Sequence, residues 1–170
     1  MDIPKRKSTR LASCQYSTPG AFFLTICTHN RECLLSRILS VGEGLAPPVV
    51  SLTETGKIVE EEIVNLEKRF PEVTLDRYVI MPNHIHLLLS LKEKENEGGA
   101  SPSPTVISIV GAMKSVSTIR CHKELNNRFS WQRSFYDHII RNEKDYREIW
   151  KYIEDNPVKW KQDRFFQNTP

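Results

Sequence analysis

The run Tyr78-Val79-Ile80-Met81-Pro82-Asn83-His84-Ile85-His86-Leu87-Leu88-Leu89 constrains this chain more than any other stretch. Two β-prone segments meet at a Pro-Asn turn, which predicts a hairpin of strands over 73–81 and 84–91. Side chains alternate across a strand, so His84 and His86 leave one face while Ile85, Leu87, Leu89 and Leu91 leave the other. A slip of one residue would bury both imidazoles and expose the leucines, so the apolar face pins the register. Two histidines held side by side on a rigid strand have the arrangement a metal ion needs. The same spacing also suits two ordinary residues on a half-exposed strand, because a bare His-x-His is a weak motif.

The rest of the chain supplies a sheet for this hairpin. Ala21–Thr28 (Ala-Phe-Phe-Leu-Thr-Ile-Cys-Thr) follows a Pro-Gly turn and predicts the first strand, with Phe23, Thr25 and Cys27 on one face and Phe22, Leu24 and Ile26 on the other. His29 beyond it reads as a solvated loop residue. Residues 36–50, with Gly42, Gly44, Pro47 and Pro48, read as an irregular connection. Ser51 and Glu54 have the spacing of a capping box. Val59, Ile63, Leu66 and Phe70 then recur at helical spacing until Pro71, with Gly56 weakening the first turns. This helix reads as scaffold, and its acidic run Glu60-Glu61-Glu62 is expected to form a solvated face.

After a flexible loop of about 92–104, rich in charge and then in Gly, Ser and Pro, a second helix is expected over 105–125. Its apolar stripe is Val106, Ile109, Val110, Met113, Val116 and Ile119, with Ser115, Ser117 and Thr118 towards water. Phe129–Ile140 predicts the last strand. Asn142 is a suitable N-cap for a third helix, with Glu143 and Asp145 in its first turn and Tyr146, Ile149, Trp150 and Ile153 as its stripe. It ends near Asn156, before Pro157. Trp160, Phe165 and Phe166 predict that the tail docks. Strand, helix, strand, strand, helix, strand is the α+β, ferredoxin-like (RRM-like) order: an antiparallel sheet with two helices on one face, here extended by a C-terminal helix.

At 170 residues the chain is most simply one domain, with a core of about 20–160. A formal net charge of +3 does not by itself announce a nucleic-acid binder, but Lys5, Arg6, Lys7 and Arg10 cluster at one end. Such an arm suits phosphate contacts and a solvated tail equally. The four cysteines, Cys14, Cys27, Cys33 and Cys121, contain no Cys-x-x-Cys pair, which argues against a zinc cage or a disulfide framework. No apolar run approaches the roughly 20 residues of a membrane span, and no signal peptide opens the sequence. These features predict a reduced, cytoplasmic protein that makes no membrane contact.

Tyr152 lies about 60° round the third helix from Ile149, at the edge of its stripe, and Asn156 follows about 40° away and one turn on. A phenol and a carboxamide stacked in this way can face one site. Spacing alone favours a plainer reading, with the ring packed, its hydroxyl wet and Asn156 closing the helix.

Met81-Pro82-Asn83-His84-Ile85-His86 together with Tyr152-Ile153-Glu154-Asp155-Asn156-Pro157 resembles the IS200/IS605-like single-tyrosine (HUH, His-hydrophobic-His) transposases, and most nearly their REP-associated branch. Trp131-Gln132-Arg133 and Phe135-Tyr136-Asp137-His138-Ile139-Ile140-Arg141-Asn142-Glu143-Lys144 look like further blocks of that group, and the similarity runs from about Gly20 to Trp160. The resemblance implies a metal-dependent endonuclease and strand transferase, a DNA nickase-ligase acting on single-stranded or hairpin DNA. It implies Tyr152 as the nucleophile forming a 5′-phosphotyrosine, with His84, His86 and Asn156 holding Mg²⁺ or Mn²⁺. Zinc is left as an adventitious occupant. Arg31, Arg133, Arg141, the N-terminal basic cluster and the Trp131 ring are candidates for DNA contact, and Phe135 and Tyr136 for base stacking. Both a monomer and a homodimer fit this reading. A non-catalytic nucleic-acid-binding module on the same fold is the main alternative, and a small zinc hydrolase using water is another.

Overall fold

Alternating side chains form strands wherever one face can be buried, and six strands occur among the described residues. In a computed structural model describing residues 19–39, 48–92 and 104–167, the strands are β1 (Gly20–Cys27), β2 (Ser36–Leu39), β3 (Val49–Leu52), β4 (Val73–Ile80), β5 (His84–Leu91) and β6 (Tyr136–Ile140). The helices are α1 (Glu54–Val64), α2 (Leu66–Arg69), α3 (Val106–Leu125) and α4 (Glu143–Asp155), with short 3-10 turns at His29–Arg31 and Trp160–Gln162. Four strands form an antiparallel sheet in the order β4-β5-β1-β6. This is the ferredoxin-like arrangement, with α1 and α3 on one face.

Register divides the sheet as the alternation predicts. Phe22, Leu24 and Ile26 pair with Leu89, Leu87 and Ile85 and pack with Val59 and Ile63 of α1 and Ile109, Val110 and Met113 of α3. Phe23, Thr25 and Cys27 pair with Leu88, His86 and His84 on the other face. That face is covered by α4, through Ile153, Tyr146, Ile149 and Trp150, and by the tail, through Trp160 and Phe165.

Four local expectations are corrected. Residues 36–50 are not wholly irregular, because β2 and β3 make a small two-stranded sheet of their own. The cap of α1 is Thr53 and not Ser51: its Oγ1 accepts from Gly56 N at 3.0 Å. On α3, Ser117 and Cys121 take the buried places while Ile119 stands 61% exposed. The series 106, 110, 113, 117, 121 keeps true helical spacing, and Ser117 satisfies its hydroxyl by donating to Met113 O and accepting from Trp131 Nε1. Finally, only Tyr136–Ile140 is strand. Residues 129–135 leave the sheet after a single bridge from Trp131 to Thr28, because Phe129 and Trp131 turn into the core and Lys114 Nζ donates to the Gln132 and Arg133 carbonyls. The N-terminal cluster Lys5, Arg6, Lys7 and Arg10, and nearly all of the 92–104 loop, lie outside the described residues. Among the described residues no helix is long and apolar enough to cross a membrane, and none of the three described cysteines is in a disulfide.

Gly56 has a role that helix propensity hides. Thr53 Oγ1 donates to the Leu34 and Leu35 carbonyls, and Thr53 N also donates to Leu35 O, which draws that carbonyl against the first turn of α1. A Cβ on residue 56 would lie 1.9 Å from Leu35 O. Alanine favours a helix over glycine by about 1 kcal/mol. The backbone clash outweighs that gain, so Gly56→Ala should lower the urea midpoint by a net destabilisation of about 1–3 kcal/mol. A midpoint raised by the propensity gain would show that the Leu35 contact yields freely.

Candidate active site

The sheet face opposite α1 and α3 carries the polar residues that the sequence singles out. His84 and His86 are not ordinary residues of a half-exposed strand: they are 0% and 1% exposed, since α4 and the tail cover their face. Burial demands partners for every ring nitrogen. Asn83 Oδ1 lies 2.9 Å from His84 Nδ1, and Thr25 Oγ1 lies 2.9 Å from His86 Nδ1. A carboxamide oxygen only accepts, so His84 carries its proton on Nδ1 and turns a lone pair on Nε2 towards His86. The two Nε2 atoms are 3.1 Å apart.

Burial is the main cause that lowers the pKa of His84, to about 3, with the Arg164 and Arg31 charges adding to it. Burial likewise takes His86 well below the ordinary imidazole value, followed by His84 and then Arg164. Both rings are therefore neutral at neutral pH and able to act as metal ligands.

The helix brings up the phenol. Ile153 of α4 is buried against Phe23 and Leu88, which leaves Tyr152 at the edge of the covered face, 42% exposed. Its ring centroid is 5.2 Å from that of His86 and 5.8 Å from that of Phe23, within one chain. Desolvation first, and the Asp163 charge second, raise its pKa, against a lowering hydrogen bond from the Asn156 side chain and the Arg164 charge. Asn156 is 3% exposed, and its Oδ1 has no hydrogen-bond partner among the described residues. Such an orphan costs free energy unless something outside the chain satisfies it.

The tail closes the remaining side. Phe165 and Trp160 stand 4.7 Å and 6.0 Å from the His84 ring, centroid to centroid, and Asn83 Nδ2 donates to Phe165 O at 2.8 Å. Between these anchors, Asp163 brings a carboxylate oxygen into a cluster with one nitrogen each of His84 and His86, all within 4.8 Å of one another. A cavity of about 270 Å³ is lined by Tyr152, Asn156, Lys159, Gln162, Asp163 and Arg164. A second of about 400 Å³ has Arg31, Arg164, Tyr136 and Phe165 among its walls, with Thr25 and Cys27 also lining it.

The donor set fits a divalent ion. Two nitrogens bound at about 2.1 Å and at right angles would lie about 3 Å apart, close to the separation of the two Nε2 atoms. The orphaned Asn156 oxygen is a harder donor, in the cavity that Asn156 lines with Tyr152 and Asp163.

Comparison with known proteins gives the family. The family described as "Transposase IS200 like" matches residues 52–156, which contain the hairpin and the whole of α4. The chain belongs to that family. Its relatives include an uncharacterized protein of Haemophilus influenzae, 34% identical over 96% of this chain and 94% of that protein. The REP-associated tyrosine transposase of Escherichia coli is 28% identical over 85% of this chain and 70% of its own length. A solved structure of a REP-associated tyrosine transposase bound to a REP hairpin shares the fold, with a TM-score of 0.58, 24% identity, and coverage of 88% of this chain and 74% of the other.

For this IS200-like chain, the structure brings Tyr152 to the His84–His86 pair, and Asn156 into the cavity that Tyr152 lines. Arg31 is exposed beside them, its guanidinium 5.1 Å above the Phe165 ring. Arg133 and Arg141 are exposed but line neither cavity. Trp131 is corrected: its ring is 7% exposed in the core against Phe129, so it offers no face to a base. Phe135 is partly buried against the core, whereas Tyr136 is 47% exposed. Asp163 and Arg164 were missed. They have no motif spacing, and the available signal was indirect: aromatic anchors that predict a docked tail also carry in the polar residues between them.

Neutral burial of the imidazoles makes the metal-free protein sensitive to acid. In the unfolded chain a histidine protonates near pH 6.5, while in the folded chain His84 stays neutral down to about 3. The stabilisation is therefore complete above about pH 6.5 and declines as the pH falls, by up to about 1.4 kcal/mol per pH unit for each ring. Urea midpoints in a chelator should fall between pH 7 and pH 5. A midpoint that holds or rises over that interval would contradict neutral burial.

Proposed function

We propose that this chain is a single transposase-like domain that cuts and rejoins single-stranded or hairpin DNA by the single-tyrosine (HUH) route, with Tyr152 as the nucleophile. The observation that carries the reading is the Tyr152 ring standing 5.2 Å from the His86 ring of its own chain. His84, His86 and Asn156 would hold Mg²⁺ or Mn²⁺, which supplies charge neutralisation on the phosphate oxygens and orientation of the scissile group.

The chain's own residues account for the remaining steps. The half-exposed Tyr152 is open to a DNA strand lying over the rim of the covered sheet face, above the two central strands, while the imidazoles beneath it are buried. A phenol with a raised pKa is protonated at neutral pH, and the Asn156 side chain favours its ionised form by hydrogen bonding to the hydroxyl. In the displacement, Tyr152 Oη gives up its proton and forms a bond to phosphorus as the bond to the 3′-oxygen breaks. The departing oxygen takes up a proton as a 3′-hydroxyl, and the phosphate remains on the tyrosine as a 5′-phosphotyrosine. Because the ester keeps the bond energy, attack by the 3′-hydroxyl of another strand reverses the step and joins DNA without a nucleotide cofactor.

Arg31, Arg164 and the exposed Tyr136 line a cavity suited to a phosphate and a stacked base. Hairpin DNA as the substrate is supported by the hairpin that the related transposase binds. A purely binding module would have no use for a neutral imidazole pair and an orphaned carboxamide oxygen under a tyrosine.

Incubation with a labelled hairpin oligonucleotide and Mn²⁺ tests the reading. The wild type should form a protein–DNA adduct that survives denaturation, and Tyr152→Phe should reduce it by at least about 10³-fold. Cleavage without an adduct would point instead to water as the nucleophile, and binding without cleavage to a non-catalytic module.

A further inference from the structure

The ligand set proposed above consists of two neutral imidazoles and a carboxamide, so it offsets none of an ion's charge. It also lies within the field of two cations, since Arg31 and Arg164 both act on His84. A divalent ion there would be repelled by guanidiniums and attracted only by dipoles. The acid whose charge acts on the neighbouring Tyr152 is Asp163.

We propose that the Asp163 carboxylate is a further ligand of the same ion, which makes the tail beyond α4 part of the metal centre. This inference rests on the metal-site reading. Three features of the chain carry it. First, a carboxylate oxygen lies within 4.8 Å of one ring nitrogen of each histidine. Second, it is held in place: Asp163 Oδ1 accepts from Phe165 N at 2.6 Å, while Trp160 and Phe165 are buried on either side. A carboxylate has about four acceptor sites, so this one bond leaves it free to ligate. Third, one side chain couples the tail to the imidazoles, because Asn83 accepts from His84 Nδ1 and donates to Phe165 O. An ion bound to His84, His86, Asn156 and Asp163 would keep two of six octahedral positions open for phosphate oxygens.

Ion binding and tail docking are then linked, each strengthening the other. In a sequence with neutral ligands on the hairpin and α4, the acid that completes the site comes from a segment with no motif of its own.

Asp163→Asn removes the charge yet retains an oxygen to accept from Phe165 N. In calorimetric titration of the full chain with Mn²⁺ alone, this variant should bind at least about tenfold more weakly than wild type. Mn²⁺ should also slow amide hydrogen exchange over residues 160–167 in wild type and not in the variant. Equal affinities, with binding abolished in His86→Ala, would overturn the inference and leave the metal-site reading standing. Absence of Mn²⁺ binding by wild type would remove both. If the variant tail already exchanges fast without metal, Mn²⁺-soaked wild-type crystals decide: an anomalous peak at about 2 Å from an Asp163 oxygen supports the proposal, and a peak beyond coordination distance defeats it.

Discussion

The antiparallel pairing of β1 with β5 is the constraint on which the rest of this structure depends. It sets Thr25 opposite His86 and Cys27 opposite His84, and at the same time Leu24 opposite Leu87 and Ile26 opposite Ile85. A register that packs the aliphatic face against α1 and α3 therefore also aligns the histidines with Thr25 and Asn83. A one-residue slip would break both arrangements together. Core packing and site geometry are thus two faces of one ladder, and the energy that fixes the first fixes the second.

Covering the histidine face has two consequences. Neutral imidazoles with both Nδ1 atoms engaged are preorganised ligands, and no water need be stripped from them when an ion arrives. The same cover sets the position of Tyr152, since Ile153 buries the neighbouring position and turns the phenol to the rim, beside His86 and open to solvent. Polar groups that a sheet face would ordinarily expose are here enclosed by α4 on one side and by Trp160 and Phe165 on the other.

Most of this was legible in the sequence because it rests on short-range periodicity. The alternation around His84 and His86, the stripes of α1 and α4 and the Asn142 cap all follow from local spacing, and the cap is observed accepting from Asp145 N. What was not legible depends on distant contacts. Thr53 rather than Ser51 caps α1 because Leu34 and Leu35, from far along the chain, meet it there. Trp131, aromatic and within a β-prone run, looked available to a base, but its indole finds Ser117 on α3 and goes inside. Asp163 enters the site only because two aromatic neighbours dock, and no residue spacing announces that.

The account depends most on one polypeptide furnishing both the phenol and the imidazoles of a working site. Mixing two inactive variants tests this directly: equimolar Tyr152→Phe and His86→Ala, incubated with labelled hairpin DNA and Mn²⁺ under conditions where wild type forms its adduct. Since the Tyr152 ring packs on His86 within its own chain, the mixture should form no covalent product above the level of either variant alone. Restoration of the adduct on mixing would mean that the hydroxyl serves the histidines of another copy, and the geometry described here would not be that of the acting enzyme.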